Sequence, residues 1–190
     1  FYCGNCHKWL LAPTGSGFLH LGPGQEDRLQ PSQVSWGYRP DRAKMDEPDE
    51  FGSTPRLRFY EFEGTRDVCP WLAVPAAIDF QEQIGLEAIR RRNAALVEFA
   101  RERLDRIPGL TLATPRDPRL HGFMTAFRLP PAVDAPTWRK RLWDEFRIEA
   151  PIVERPEGLL LRVSTHFYNT EVEIEQLAAA AERLLAPLAA

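Results

Sequence analysis

The first eight residues hold two thiols, an imidazole and an amine, which are the groups most able to do chemistry in this part of the chain. Cys3, Cys6 and His7 form the pattern C-x-x-C-H. That pattern is the attachment signature of a c-type haem, and C-x-x-C alone is typical of redox dithiols and of zinc half-sites. Lys8 follows directly and could form a Schiff base with a carbonyl compound. The spacing alone therefore does not decide between metal binding, thiol chemistry and amine chemistry.

Metal and dithiol chemistry are the weaker interpretations of this stretch. If residues 1–6 are extended, side chains three apart point to opposite faces, which disfavours haem attachment. A structural zinc needs four ligands, and beyond the opening cluster only Cys69 remains as a thiol. A thioredoxin-like dithiol would open a helix, whereas a Pro- and Gly-rich turn follows at residues 13–17. We therefore expect no bound metal.

Composition and charge exclude several classes of partner. The 190 residues carry Lys+Arg 24 against Asp+Glu 27, a formal net charge of -3, so no basic surface for nucleic acid is indicated. No apolar run approaches the roughly 20 residues that a membrane span needs. Three cysteines are too few for a disulfide scaffold and favour a reducing, cytoplasmic compartment. The chain begins inside a predicted strand without a methionine, which suggests a fragment.

The first half of the chain contains few regular elements. Residues 1–5 and 18–21 are predicted strands separated by the turn at residues 13–17. Residues 25–55 are polar and rich in proline, and so long a loop is typical of a functional or disordered segment. Residues 71–80 are predicted to form a helix, in which Pro75 must lie near the first turn or bend the helix.

From residue 86 onward the hydrophobic pattern predicts regular secondary structure. Apolar residues at three- and four-residue steps, with a gap at Asn93, predict an amphipathic helix over residues 86–107. The predicted elements that follow are strands at 110–114 and 123–129, a helix at about 136–146, strands at 148–153 and 159–165, and a final helix. That last helix opens at the capping box Thr170-x-x-Glu173. The order predicts helices layered on a small, mostly antiparallel sheet.

Three ordered segments carry a resemblance to a known family. "NCHKWLLAPTGSGFLHL", "EGTRDVCPWLAVPAAIDF" and "LLLRVSTHFYNTEVEIEQL" resemble the lysine segment, the Gly-Thr segment and the Arg-x-Ser strand of the class V pyridoxal-phosphate-dependent aminotransferases. The Lys-Trp-Leu context with Ala-Pro is most similar to the isopenicillin N epimerase branch. The resemblance implies an incomplete α/β fold type I transferase. Residues 1–84 would end the large cofactor domain, and residues 85–190 would form the C-terminal α+β small domain.

The resemblance also implies roles for individual residues. Lys8 would hold pyridoxal 5'-phosphate as a Schiff base and then move the Cα proton of an amino-acid substrate. Asn5 and His7 match positions that donate hydrogen bonds to the cofactor phosphate. Gly64 and Thr65 match a loop that reaches the cofactor of a neighbouring subunit, which implies a homodimer.

Arg162 matches the arginine that binds the substrate carboxylate, a task to which a planar guanidinium is suited.

The reaction itself stays open between several possibilities. Residues 146–162, where a desulfurase of this fold would carry its nucleophilic cysteine, contain none. An epimerase is the first hypothesis, and a true aminotransferase or a C–S lyase is the second. The third is a non-catalytic small domain that serves as an interaction module. A fragment lacking the upstream cofactor-binding residues is expected to be inactive alone.

Overall fold

The chain folds into two units, Phe1–Gln83 and Ile84–Ala190, which are described one at a time below. The computed structural model describes residues 1–38, 44–50 and 52–188. The expected division at residues 84 and 85, with its assignment to a cofactor domain and a small domain, stays a prediction. Part of the long polar segment, residues 39–43 and 51, lies outside the described residues.

The first unit opens with the hairpin that carries the His7-Lys8 pair. Strand β1 (Tyr2–Asn5) pairs antiparallel with β2 (Gly17–His20), Asn5 lying opposite Gly17. Gly4 faces Phe18 across the pair, and a Cβ atom on Gly4 would lie 2.7 Å from the Phe18 ring. The two expected strands are confirmed. Glycine at position 4 has no side chain, and this leaves room for the Phe18 ring to lie across β1.

The long segment after the hairpin contains more helix than expected. A single 3-10 turn (Glu26–Arg28) is followed by α1 (Pro55–Glu61), which the sequence analysis did not predict. The Thr54 side chain accepts a hydrogen bond from the Leu57 backbone N–H, and Pro55 fills the first helical turn. Threonine before proline is a helix-start signal, but the seven-residue helix is too short to show an apolar period.

The helix expected at residues 71–80 is two helices. Helix α2 (Cys69–Leu72) is one turn long, and α3 (Val74–Ile84) follows after a break at Ala73. Pro75 lies in the first turn of α3, where its missing N–H costs no hydrogen bond. The proline therefore starts a helix instead of bending one, and α3 continues to Ile84, beyond the expected end.

The second unit has the expected order of elements. Helix α4 (Leu86–Leu104) precedes β3 (Thr111–Leu112) and β4 (Met124–Arg128), and α5 (Ala135–Phe146) precedes β5 (Ile152–Arg155) and β6 (Gly158–Ser164), before α6 (Glu171–Leu185). The strands pair antiparallel in the order β3-β4-β6-β5, as the prediction of a mostly antiparallel sheet required. Strand β5 begins four residues later than expected and continues to Arg155, so the turn to β6 is tight.

The three helices and one face of this sheet enclose the core of the second unit. Phe127 on β4 and Leu161 on β6 are fully buried, together with Leu96, Ala100 and Leu104 of α4 and Ala178 and Ala181 of α6. Asn93, expected as a gap in the apolar face of α4, is buried within it, and its Oδ1 atom has no hydrogen-bond partner among the described residues. The capping box is present, since the Thr170 and Glu173 side chains each accept a hydrogen bond from the other's backbone N–H.

The opposite face of the sheet is open within this unit. Side chains alternate along β6, so Leu161 and Val163 are buried while Arg162 and Ser164 are exposed. The helices thus hold the sheet rigid and present Arg162 on its other side.

Candidate functional site

The turn after β1 holds the His7-Lys8 pair between backbone hydrogen bonds. The Cys6 N–H donates to the Ser16 carbonyl (3.1 Å), and the Ala12 N–H donates to the Cys6 carbonyl (3.1 Å). The Leu11 N–H donates to the Lys8 carbonyl (3.0 Å), which closes a tight turn directly after the lysine. The peptide backbone on both sides of Lys8 is therefore positioned by local contacts of the first unit.

The ring of His7 is oriented by Ser16. The Nδ1 atom of His7 lies 2.8 Å from the Ser16 carbonyl oxygen, so Nδ1 carries the proton and donates. Ser16 is buried, and its hydroxyl donates to the Pro13 carbonyl at 2.7 Å. The remaining ring nitrogen, Nε2, accepts a hydrogen bond when the ring is neutral and donates one only as the imidazolium. A phosphate bound at Nε2 would therefore meet a cationic ring or share a proton with it.

The side chain of Lys8 is exposed, and its ammonium has no hydrogen-bond or ion-pair partner in the described part of the chain. Two features restrain the backbone beside it. Leu11 adopts a left-handed conformation (φ 64°), which is uncommon for a residue with a branched side chain. Gln81 of α3 donates its amide Nε2–H to the Trp9 carbonyl at 2.6 Å. The Lys8 side chain is thus accessible, on a segment whose backbone is restrained by local contacts.

Asn5 lines a large cleft within the first unit. The cleft has a volume of about 1230 Å3, and its wall includes Asn5, Gly17, Arg56 and Arg66. Asn5 is exposed at the end of β1, two and three residues before His7 and Lys8. The three residues therefore follow one another at one strand end, and Asn5 is the one that lines the cleft.

Gly64, which is half-buried, and Thr65, which is exposed, form a turn between α1 and α2. Gly64 has a φ of 106°, a conformation that residues with a side chain rarely adopt. Arg66, the next residue, is ion-paired with Glu63 and stacks over the Trp71 ring, its guanidinium carbon 3.5 Å from the ring centroid. The turn is therefore braced on both sides and keeps the Thr65 hydroxyl on the surface.

Arg162 lies on the open face of the second unit's sheet. Its cross-strand neighbour on β4 is Ala126, whose small side chain leaves the guanidinium uncovered. Within the described residues the guanidinium has no hydrogen-bond or ion-pair partner, although the backbone N–H donates to the Pro151 carbonyl at 2.9 Å. An exposed, unpaired guanidinium on a rigid sheet can bind a carboxylate through two parallel hydrogen bonds.

The cysteines of the opening motif occupy different environments. Cys3 is exposed on β1, whereas Cys6 is buried just after it, and all three cysteines are unpaired. Across the ranges 1–38, 44–50 and 52–188, no group of three or more His, Cys, Asp or Glu side chains could hold a metal ion. The absence of a bound metal stays a prediction. The Asp67 carboxylate, which accepts a hydrogen bond from the Cys69 thiol and repels its anion, raises the pKa of that thiol.

Sequence analysis missed two residues that position the lysine segment. Ser16 orients His7, and its only sequence signal is its place between Gly15 and Gly17 in a turn. Gln81 fixes the backbone after Lys8 from 72 residues away, and a glutamine on a helix gives no local signal of such a contact. Within the first unit the structure places Asn5, His7 and Lys8 at one strand end, and Gly64 and Thr65 on a separate turn.

No helix among the described residues is long and apolar enough to cross a membrane.

Solved structures with a similar fold are enzymes that contain a much longer chain. The apo structure of a cysteine desulfurase from Thermococcus onnurineus NA1 superposes with a TM-score of 0.74 at 23% identity, covering 97% of this chain and 46% of that one. A mutant of the cystine C–S lyase C-DES, with glycine covalently linked to its PLP cofactor, gives a TM-score of 0.68 at 19% identity and covers 92% and 43%. These likenesses show the fold, which is that of the fold type I transferases.

The family is shown by the amino-acid sequence. Residues 1–134 match the family described as "Aminotransferase class-V", and the chain belongs to that family. It is 58% identical over 185 residues to an isopenicillin N epimerase from Amycolatopsis lactamdurans and 54% identical over 186 residues to one from Streptomyces clavuligerus. Each match covers 97% of this chain, which spans about half the length of these relatives (46% and 47%).

Proposed function

We propose that this chain is part of a pyridoxal-phosphate-dependent enzyme that inverts the configuration of an amino-acid-like substrate, most like isopenicillin N epimerase. The observation that carries the proposal is Lys8, an exposed amine without a partner in the described residues, on a backbone turn held by Ser16 and Gln81. Relatives at 58% and 54% identity bear the epimerase name.

The donor groups at the end of β1 fit a phosphorylated aldehyde. Lys8 offers an amine for covalent attachment. Asn5 offers an amide N–H, and His7 offers Nε2 with its ring already held by Ser16. Pyridoxal phosphate, when bound, supplies an electron sink that makes the Cα–H bond of an attached amino acid acidic. Lys8 would hold the cofactor through its amine, and the same amine would move the substrate's Cα proton on one face.

Inversion requires that the proton come back on the opposite face of the Cα atom. Arg162 would hold the substrate carboxylate and fix which face of the Cα atom meets Lys8, so inversion also needs a proton donor on the opposite face. A bidentate guanidinium restrains this orientation better than the single point charge of an ammonium. The residues of this chain would therefore supply the attachment, the proton transfer on one face of the Cα atom and one anchor.

Desulfurase activity is disfavoured by the cysteines of this chain. Residues 146–162 contain no cysteine, and the exposed Cys69 is beside Asp67, which raises the pKa of its thiol. Because the thiolate is the nucleophile, a raised pKa makes Cys69 a poor acceptor of sulfur. Epimerisation, transamination and C–S cleavage all begin with loss of the Cα proton, so an experiment distinguishes them by the products that they form.

We further propose that the whole enzyme is a cytoplasmic homodimer. The braced turn at Gly64, with Thr65 exposed on it, supports a role in reaching a neighbouring subunit's cofactor, as the family resemblance implies. The three unpaired cysteines support a reducing compartment. Light scattering of the full-length protein at two concentrations tests the dimer, and a mass of one subunit at both would contradict it.

The reaction is tested with the full-length protein, pyridoxal phosphate and isopenicillin N in D2O. We expect the epimer as product, with solvent deuterium at the inverted carbon and no keto acid. A keto acid would identify an aminotransferase, and release of sulfide from cysteine or cystine would identify a C–S lyase. Failure to bind the cofactor, with no absorbance change on its addition, would favour a non-catalytic module.

A further inference from the structure

The open face of the second unit's sheet carries a second arginine next to Arg162. In the antiparallel register Arg162 lies opposite Ala126, and Arg128, two residues further along β4, lies opposite Leu160. Cross-strand partners share a face, so Arg128 and Arg162 project from the same side of the sheet as diagonal neighbours. Diagonal positions are separated by about 7–8 Å, a distance that two arginine side chains can span together.

This face contains positive charge without a compensating carboxylate. The described face positions of β4, β5 and β6 hold arginines at 128, 155 and 162, and no Asp or Glu. Arg128 and Arg162 are diagonal and not directly opposite, so both charges can share the face, and an anion between them would be attracted by both. Neither Arg128 nor Arg162 has an ion-pair partner within the described ranges. The arrangement therefore suits a ligand with two negative groups.

The surroundings of Arg128 restrain its side chain and leave donors free. Its Nη1 atom donates to the Glu157 carbonyl at 3.2 Å, which ties the guanidinium to the turn between β5 and β6. The other guanidinium nitrogens have no hydrogen-bond partner among the described residues. Ala126 and Leu160 are the residues of this face that lie between the two arginines, and they offer an apolar floor for a short methylene chain.

We propose that Arg128 binds a second carboxylate of the substrate, at the far end from the reacting carbon. The substrate class is then an amino acid with a distal anionic group, its α-carboxylate on Arg162 and its second carboxylate on Arg128. This inference rests on the proposed function, because it assumes that Arg162 anchors an amino-acid substrate. Arg128 would set specificity and take no part in the proton transfer.

The test compares two amino acids that differ only at the distal end. L-2-Aminoadipate carries a carboxylate where L-norleucine carries a methyl group. Calorimetry on the full-length protein with its cofactor measures the dissociation constant of each amino acid, for the wild type and for Arg128→Gln. Arg155→Gln is the matched control, because Arg155 shares the same face but lies opposite Gly158, away from Arg162.

We expect the wild type to bind aminoadipate more tightly than norleucine. Arg128→Gln should weaken aminoadipate binding about tenfold or more, since a hydrogen-bonded charge is lost, and leave norleucine binding within about twofold. Arg155→Gln should change neither constant.

Each contrary result has a separate meaning. Equal weakening of both ligands by Arg128→Gln would show a structural role and overturn the proposal, as would no change in either. An equal effect of Arg155→Gln would show that the general charge of the face, not Arg128, attracts the second carboxylate. If the wild type binds neither amino acid, the proposed function fails and this inference fails with it.

Discussion

Replacing Arg162 by lysine should separate substrate binding from protein stability. The guanidinium is exposed beside Ala126 and has no partner within the described residues, so the fold loses no contact of that side chain. A surface change of this kind alters the free energy of unfolding by less than about 0.5 kcal/mol. Lysine keeps the positive charge and loses the planar fork that binds a carboxylate through two hydrogen bonds.

The expected loss in binding follows from that fork. A hydrogen bond to a charged group contributes about 1.5–3 kcal/mol, and each 1.4 kcal/mol is a factor of about ten. Because lysine retains one charged donor, we expect KM to rise about tenfold or somewhat more. The assay is exchange of the substrate Cα proton with solvent, followed in the full-length enzyme by mass spectrometry, with urea unfolding of the same preparations.

Arg155→Lys is the matched control for this variant. It makes the same chemical change on the same face of the sheet, at the far end of the β5–β6 hairpin. It should leave KM and unfolding unchanged. A sharp loss of stability in Arg162→Lys with unaltered kinetics would show that Arg162 supports the fold and would refute this reasoning.

Further predictions address the cofactor contacts and the fold. His7→Phe should weaken pyridoxal phosphate binding about tenfold, measured by absorbance titration, because a charge-assisted hydrogen bond is lost; unchanged affinity would remove His7 from the phosphate site. Thr170→Ala should lower the urea unfolding free energy by about 1 kcal/mol, since the cap of α6 is lost, and Thr170→Ser should restore most of it. Cys69→Ser should leave turnover unchanged, and a persulfide detected on Cys69 by mass spectrometry would contradict this. The Thr137 side chain and backbone N–H both donate to the Asp134 carboxylate and lower its pKa. The contribution of Asp134 to the free energy of unfolding is therefore present at neutral pH and lost on acidification below the usual aspartate range. Asp134→Asn should lower the stability at neutral pH and make acid unfolding depend less on pH.

The helices of the second unit were the most predictable elements of the fold. The apolar period of α4 and the Thr170-x-x-Glu173 box of α6 are local signals, and both helices are present. The strand order β3-β4-β6-β5 could not be derived in the same way, because pairing depends on contacts between distant residues. Asn93 shows what the apolar period of a helix cannot predict. A polar residue within the period gives the same sequence pattern whether it interrupts the apolar face or is buried in it.

The site was predictable to the extent that it resembles a family. Spacing alone favoured no single use of Cys3, Cys6, His7 and Lys8, and the lysine became the candidate through the segments that agree with the family along the chain. The roles of Ser16 and Gln81 could not be predicted, because the Ser16 carbonyl meets His7 and the Gln81 amide meets the Trp9 carbonyl only in the folded chain. The position of Arg128 could have been inferred, because side chains alternate along Met124–Arg128 and its exposed positions lie on the same face of the sheet as Arg162.

The attachment of the cofactor to Lys8 is the central claim of this account, and one chemical measurement tests it directly. The full-length protein is incubated with pyridoxal phosphate, reduced with borohydride and digested, and the modified lysine is located by mass spectrometry. This chain has only three lysines, at positions 8, 44 and 140, so the peptides are readily distinguished. We predict a stoichiometric pyridoxyl group on Lys8. A pyridoxyl group on Lys44 or Lys140, or elsewhere in the protein, with Lys8 unmodified, would contradict the account.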